Sequence, residues 1–146
     1  MKIAILGVEN SHADAFGGFI KNNPEKYKDI EVVGVYSDEQ DAVKRMLDNG
    51  YAAYAAAAPD EFAGNVDGVV ITARHGDNHY KYAMPYVKAG IPCFIDKPFC
   101  ANIENAKELA RVAEENGALL CGGSCLKFID EVKPLARMAK TKTVKY

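Results

Sequence analysis

The chain has 146 residues, of which 49% are hydrophobic and 26% are charged, and its formal net charge is −2. This composition is typical of one soluble globular domain and argues against disorder, collagen-like repeats and a disulfide scaffold. The near balance of charges gives no general indication of a nucleic-acid partner. No apolar run approaches the roughly 20 residues that span a bilayer, and the first run is too short for a signal peptide. We therefore expect a cytoplasmic protein with no nucleic-acid and no membrane partner.

Apolar runs and helical patterns alternate through the first half of the chain. Continuous apolar runs predict strands over residues 3–6 and 30–36, and a short third strand is expected over 51–54. Apolar residues recur at helical spacing over 13–20 and over 41–49, which predicts two helices between these strands.

The second half repeats this order. Strands are predicted over 68–72, 92–95 and 118–121, and helices over 77–89 and 103–116. Asn102 is placed to cap the second of these helices, and a further amphipathic stretch covers 128–138. This alternation of strands and helices predicts an α/β fold, in which a doubly wound, mainly parallel, Rossmann-like sheet of six strands has helices on both faces.

The segment after the first strand is a candidate anion site, because ligands of such sheets bind beyond the carboxyl ends of the strands. A dinucleotide fingerprint would place glycines at 7, 9 and 12, and only Gly7 is present. Glu9 would repel a pyrophosphate unless its side chain points away. Asn10 and Ser11 can cap the following helix and leave its free N–H groups facing an anion, with His12 at the third glycine position. A plain capped helix without a ligand is the alternative.

The second strand ends at Tyr36 and is followed by Ser37 and Asp38. An acid at this position can accept hydrogen bonds from both hydroxyls of an adenosine ribose. Asp38 and Glu39 would oppose a 2′-phosphate, so NAD is favoured over NADP if a nicotinamide cofactor binds. The alternative is a strand-end turn whose polar residues cap the next helix.

The densest polar cluster follows the strand over 68–72 and contains Arg74, His75, Asp77 and His79. We expect Asp77 to be the N-cap of the next helix and the histidines to line a loop or pack on its first turn. The two histidines lack a matched third ligand, and the four cysteines lack C-x2-C spacing. No metal site is therefore expected, and the cysteines are expected to be reduced, buried thiols.

Asp96, Lys97 and Pro98 follow the strand over 92–95. A lysine ammonium at a strand end can hold and protonate a substrate oxygen as a hydride moves, and the adjacent carboxylate would orient it. The alternative is a surface ion pair that precedes a proline.

Together these residues resemble the Gfo/Idh/MocA oxidoreductase family over almost the whole chain. The resemblance is carried by D-G-V-V-I-T at 67–72, His79, K-A-G-I-P at 88–92 and D-K-P at 96–98, in the order of the family, and it continues through G-S-C-L-K-F at 123–128. The family implies an N-terminal Rossmann domain that binds NAD or NADP, here residues 1–125. Residues 126–146 are then expected to form a helix leading toward the family's second α/β domain.

The resemblance also implies roles for individual residues. Lys97 and Asp96 are the expected catalytic residues, because Lys97 matches the family lysine that contacts the substrate hydroxyl and the nicotinamide, and Asp96 stands where glutamate is usual. His79 matches the histidine of a family loop. The expected cofactor-binding residues are Gly7, Asn10, Ser11, His12, Ser37, Asp38, Ala73, Arg74, His79 and Lys97.

The family oxidises or reduces sugars, inositols, related polyols and their amine analogues, which implies a small-molecule substrate. This chain departs from the family by its two missing glycines, by Ala73 and Arg74 in place of threonine and proline, and by Lys127 in place of arginine. The second domain of the family supplies the substrate pocket, a catalytic histidine and the usual interface of a homo-oligomer, so the chain alone is expected to be catalytically incomplete. The alternative is a non-catalytic nucleotide-binding or protein-interaction module.

Overall fold

The computed structural model describes residues 1–124, 128–130, 132 and 134. The helices and strands of this part of the chain, in order, are β1 (Lys2–Leu6), α1 (Ser11–Asn22), α2 (Pro24–Tyr27), β2 (Glu31–Tyr36), α3 (Gln40–Asp48), β3 (Gly68–Ile71), α4 (Gly76–Lys88), β4 (Cys93–Ile95), α5 (Ile103–Asn116) and β5 (Leu120–Gly122). The predicted amphipathic stretch over 128–138, Lys127 and the domain limit at residue 125 lie largely outside the described residues.

All five strands are parallel and lie in the order β2-β1-β3-β4-β5. Successive residues of β1 point to opposite faces of the sheet, as the two-residue period of a strand requires. Ile5 packs with residues of α1 and α3, whereas Ala4 and Leu6 pack with residues of α4 and α5. The sheet is thus covered on both faces by helices, which confirms the doubly wound α/β fold.

The described part of the sheet has five strands, so the prediction of six is wrong. The predicted strand over 51–54 is replaced by a single bridge between Ala55 and Val35 of β2. This segment contains no β-branched residue, and Tyr54 is 50% exposed. It therefore lacks the half-buried alternating side chains that stabilise a longer pairing.

The helix caps partly agree with the predictions. Asn10 caps α1, since its side-chain oxygen accepts a hydrogen bond from the His12 backbone N–H at 2.7 Å. Asn102 caps α5, since its side-chain oxygen accepts from the Asn105 backbone N–H at 2.8 Å. Asp77 is not the N-cap of α4 as predicted, because the helix begins one residue earlier, at Gly76, and His75 takes the cap position. Asp77 instead lies in the first turn of α4, where its negative charge interacts favourably with the positive end of the helix dipole.

The cysteines differ in their exposure. Cys93 of β4 is buried on the face of the sheet that α4 and α5 cover, and this burial raises the pKa of its thiol to about 12. Cys121 is exposed, which contradicts the expectation that every thiol is buried, because its strand β5 lies at the edge of the sheet. None of the helices described in the structure is both long enough and apolar enough to cross a membrane.

Candidate functional site

The carboxyl ends of β1 and β3 form the centre of the candidate site. From β1 the chain continues into α1 and on to β2, while from β3 it continues into α4 on the opposite face and on to β4. The two connections therefore separate between these adjacent strands and leave a crevice at their ends. Ligands of doubly wound folds bind at this switch in strand order.

Gly7 allows the loop after β1 to pass directly beside the loop after β3. Its φ of +73° lies in the left-handed region, and a Cβ at this position would come within 2.4 Å of the Ala73 Cβ. The buried hydroxyl of Thr72 donates to the Gly7 carbonyl at 2.9 Å, and the Asn10 side-chain amide donates to the Thr72 carbonyl. Only glycine fits this close approach, as in the first position of a dinucleotide fingerprint.

The amino end of α1 presents free donors to the crevice. The Asn10 side chain satisfies the backbone N–H of His12. Among the described residues, the backbone N–H groups of Glu9, Asn10 and Ser11 donate to no other group. Such free N–H groups at the start of a helix attract an anion, and the helix dipole adds to this attraction.

The Glu9 carboxylate is held toward the ends of β2 and β3. It accepts hydrogen bonds from the Ser37 hydroxyl and from the Arg74 backbone N–H, both at 2.8 Å. The Arg74 guanidinium in turn donates to the Glu9 carbonyl at 2.6 Å and to the Glu39 carboxylate at 3.2 Å. Four residues from three loops are therefore joined in one network over the crevice.

Asp38 is exposed at the end of β2, with its carboxylate oriented by two tyrosines. The Tyr36 and Tyr82 hydroxyls donate to its two oxygens at 2.6 Å and 2.9 Å. These hydrogen bonds, Tyr36 first, lower the pKa of Asp38, so its carboxylate stays ionised. Burial, followed by the bond to Asp38, raises the pKa of Tyr36 to about 12. Asp38 is thus a fixed, charged acceptor that faces solvent.

The end of β4 carries a buried carboxylate with two basic neighbours. Asp96 is 5% exposed, and its Oδ2 lies 2.6 Å from the His12 Nδ1 and 3.7 Å from the Lys97 Nζ. His12 is therefore the nearer partner of Asp96, and the lysine is held more loosely than the sequence suggested. The spacing of 84 residues between His12 and Asp96 gave no local signal for this pair.

His79 is fully buried, and both of its ring nitrogens face carbonyl oxygens. Nδ1 lies 2.5 Å from the Pro98 oxygen and Nε2 lies 2.7 Å from the Ala73 oxygen. The structure therefore places His79 beneath the site, where it joins the loops after β3 and β4. His75 is exposed, so the two histidines do not share a face. Among the described residues, no three His, Cys, Asp or Glu side chains are grouped so that they could hold a metal ion.

An apolar cavity of about 530 Å³ adjoins the end of β4. Its volume is within the roughly 300–1,000 Å³ of small-molecule sites. Phe16 of α1 and Phe94 of β4 meet in its wall in an edge-to-face arrangement, with ring centroids 5.5 Å apart. His12, Asp96 and Lys97 lie in the same wall. The cavity was missed in the sequence because its rings come from distant parts of the chain.

The structure divides the predicted site residues into three groups. The first is Gly7, which packs against the loop after β3, with His12 and Asp96, which pair at the end of β4. Asn10, Ser11, Asp38, Arg74 and Lys97 lie at the surface of the crevice or in the cavity wall. Three more, namely Ser37, Ala73 and His79, are buried supports of the loops. Sequence reasoning missed Tyr36 and Tyr82, which orient Asp38, and it missed the hydrogen bond between Arg74 and Glu39.

The comparisons with known proteins agree with this geometry. Residues 1–124 match the model of the Gfo/Idh/MocA oxidoreductase family, described as having an NAD-binding Rossmann fold. The rhizopine catabolism protein MocA of Rhizobium meliloti is 29% identical over 106 residues, which cover 73% of this chain and 33% of MocA. The chain thus spans about a third of the length of this curated relative.

Solved structures give the same result. An NAD-binding oxidoreductase from Klebsiella pneumoniae is 25% identical with a TM-score of 0.69, over 97% of this chain and 37% of that one. The WlbA dehydrogenase from Chromobacterium violaceum, solved with NADH and UDP-GlcNAcA, shares the fold with a TM-score of 0.76 and 17% identity, over 97% of this chain and 39% of that one. The chain belongs to the Gfo/Idh/MocA family of oxidoreductases, of which it contains the NAD-binding Rossmann domain.

Proposed function

We propose that this chain is the cofactor-binding part of an NAD-dependent oxidoreductase that moves a hydride between a secondary alcohol carbon of a sugar or polyol and the nicotinamide. The observation that carries the proposal is the crevice between β1 and β3, where Gly7 packs against Ala73 and the start of α1 presents N–H groups that no other described residue pairs. This arrangement suits a pyrophosphate, which both NAD and NADP contain.

The residues around the crevice fit NAD at both ends of its pyrophosphate. The N–H groups of Asn10 and Ser11 would hold the phosphates. Asp38 would accept hydrogen bonds from the adenosine ribose, because its ionised carboxylate is fixed by two tyrosines and faces solvent. The same charge favours NAD over NADP, since a 2′-phosphate would be repelled.

Bound NAD would supply the hydride acceptor at its nicotinamide ring. The Lys97 ammonium would hold the substrate oxygen by a hydrogen bond, because its side chain is half-exposed in the wall of the apolar cavity. The Asp96 carboxylate lies 3.7 Å from this ammonium and is itself fixed by His12 at 2.6 Å. The neighbouring walls are apolar, so these charges interact more strongly there than in bulk water.

The substrate class is proposed from the relatives. MocA is named for rhizopine catabolism, and the WlbA structure holds a nucleotide sugar acid. Because this chain spans about a third of MocA, we propose that residues outside it complete the substrate pocket, and that the cofactor domain covers residues 1–125, with 126–146 leading out of it. A homo-oligomer of the complete enzyme is part of the same proposal.

The test is a fluorescence titration of the purified chain with NADH and, separately, with NADPH. We expect saturable binding of NADH that is tighter than that of NADPH. Asp38→Asn removes the charge at nearly constant shape: its amide oxygen can accept from one tyrosine, and its amide nitrogen can donate to the hydroxyl oxygen of the other. We expect it to weaken NADH binding about five- to tenfold, as for loss of a charge-assisted hydrogen bond.

The matched control is Asp41→Asn, which removes a charge from the exposed first turn of α3 without touching this network. Its binding of NADH should equal that of the wild type. If the wild type binds neither cofactor at millimolar concentration, the proposal is wrong, and a binding module without NAD becomes the better description. If Asp38→Asn and Asp41→Asn bind equally, Asp38 does not contact the ribose.

A further inference from the structure

The Glu9 side chain has a fixed position that the proposed function does not use. It stands where a dinucleotide fingerprint has its second glycine, whose role is to let the backbone approach the pyrophosphate. Its two carboxylate oxygens are held by the Ser37 hydroxyl and the Arg74 backbone N–H, both at 2.8 Å. These bonds hold the two oxygens toward the ends of β2 and β3, and none of the free N–H groups of its own loop donates to them in the part of the chain that the structure describes.

The position of Ser37 locates the Glu9 carboxylate in the crevice. Ser37 is 2% exposed, follows β2 directly and precedes Asp38. Its hydroxyl is therefore fixed at the end of β2, which is the side of a dinucleotide site where the adenosine ribose binds. The Glu9 carboxylate, 2.8 Å from this hydroxyl, therefore lies at the end of β2 although it belongs to the loop after β1. We call this part of the crevice, around Ser37 and Asp38, the ribose corner.

The charges around this corner are mainly negative. Glu9, Asp38 and Glu39 contribute carboxylates. Arg74 is the cation in contact with this group, and its guanidinium is shared between the Glu9 carbonyl and Glu39. Lys81 acts on Asp38 from α4 at longer range. The corner thus keeps an excess of negative charge near the position of the ribose hydroxyls.

We propose that Glu9 is a cofactor-specificity residue, whose carboxylate lies beside the adenosine ribose and rejects the 2′-phosphate of NADP. This inference rests on the proposed function, because it requires a dinucleotide in the crevice. It also explains how the loop tolerates an acid in place of a glycine. The carboxylate is turned to the ribose side, where it discriminates between cofactors, and the N–H groups at the start of α1 stay available to the pyrophosphate.

The size of the effect follows from the charges. A 2′-phosphate carries up to two negative charges, and at several ångströms in a solvated crevice their repulsion by one carboxylate amounts to about tenfold in affinity. Glu9→Gln removes this charge and preserves the network. Its amide oxygen can accept from the Arg74 N–H, and its amide nitrogen can donate to the Ser37 hydroxyl, which is both donor and acceptor.

The experiment measures the dissociation constants of NADH and NADPH by fluorescence titration of the complete 146-residue chain. For Glu9→Gln we expect the NADPH constant to fall about tenfold, while that of NADH changes less than about threefold. Asp41→Asn is the control, since it removes an equal charge from the same edge of the sheet without a contact to Glu9. Its ratio of the two constants should match that of the wild type.

Two further readouts protect the test against a variant that does not fold. Glu9→Gly restores the fingerprint glycine and should lower the ratio of the NADPH to the NADH constant in the same direction. In the wild type, raising the salt concentration should bring the ratio of the NADPH to the NADH dissociation constant closer to one, because salt screens the repulsion between exposed charges. A cooperative thermal transition checks the fold of each variant.

The outcomes separate this inference from the proposed function. If the wild type prefers NADH but both Glu9 variants keep its ratio, Glu9 has no part in specificity, and the NAD site itself stands. If the ratio falls equally in Asp41→Asn, the effect is one of net charge and the inference is overturned. If the wild type binds neither cofactor, the proposed function and the inference both fail.

Discussion

Replacing Gly7 by alanine tests whether the two central loops depend on their close approach. Gly7 has a φ of +73°, and an added Cβ would lie 2.4 Å from the Ala73 Cβ and 2.5 Å from the Ala73 backbone N. Ala73 cannot retreat easily, because it is buried and its carbonyl oxygen lies 2.7 Å from the His79 ring. Contacts this short do not occur between real side chains, so the loops must separate.

The expected loss of stability has two parts. A left-handed backbone costs a residue with a Cβ about 1–2 kcal/mol. Displacing packed neighbours costs about 1–3 kcal/mol more. Gly64→Ala is the matched control, because Gly64 has a φ of +85° and nothing within 4 Å of its added Cβ. It therefore reports the backbone part alone.

The assay is urea denaturation followed by circular dichroism, which gives the free energy of unfolding of each variant. We expect Gly64→Ala to lose about 1–2 kcal/mol and Gly7→Ala about 2–5 kcal/mol, from the sum of the two parts. Gly7→Ala should also lose NADH binding, whereas Gly64→Ala should keep it. Equal losses of stability in the two variants would refute the packing argument.

Three further predictions concern the site and the core. His12→Ala should lower the free energy of unfolding in urea by about 1–3 kcal/mol, because it removes the near partner of a buried carboxylate. The control His75→Ala, at an exposed position, should change it by less than about 0.5 kcal/mol. Leu109→Ala should cost about 2–5 kcal/mol, since Leu109 is fully buried, and Leu119→Ala, at 74% exposed, should cost almost nothing in urea titrations. Hydrogen bonds from the two tyrosines lower the pKa of Asp38 in the folded chain, so its contribution to stability is present above its unfolded pKa of 3.8 and lost as the pH falls through the folded pKa. Carboxyl ¹³C NMR should show a titration midpoint below 3.8 for Asp38, and a midpoint at or above 3.8 would contradict this prediction.

The fold could be predicted because its signals are local. Apolar runs such as the one in β1, the helical periodicity of α5 and the capping residue Asn102 each act over a few neighbouring residues. The alternation of these elements then restricts the topology to a parallel sheet. The short segment at 51–54 was misjudged because its two tyrosines suggested a strand, whereas the segment lacks β-branched residues, Tyr54 is half-exposed, and only Ala55 bridges to β2.

The site could be predicted only in part. The strand-end positions of Asp38 and Lys97 follow from the order of elements, since parallel strands end at one edge of the sheet. The long-range partners of Asp38 and Asp96 do not. Tyr82 reaches Asp38 over 44 residues, and His12 reaches Asp96 over 84. Such contacts depend on how α4 and α1 pack on the sheet, and no spacing in the sequence encodes them.

The most direct test of the central claim is a ¹H–¹⁵N NMR titration of the chain with NADH. We predict that the amide signals of Glu9, Asn10 and Ser11 move most, because these N–H groups have no partner among the described residues and would meet the pyrophosphate. The signal of Asp38 should move with them. Saturable binding that leaves these four signals in place, and shifts residues elsewhere on the sheet, would contradict it.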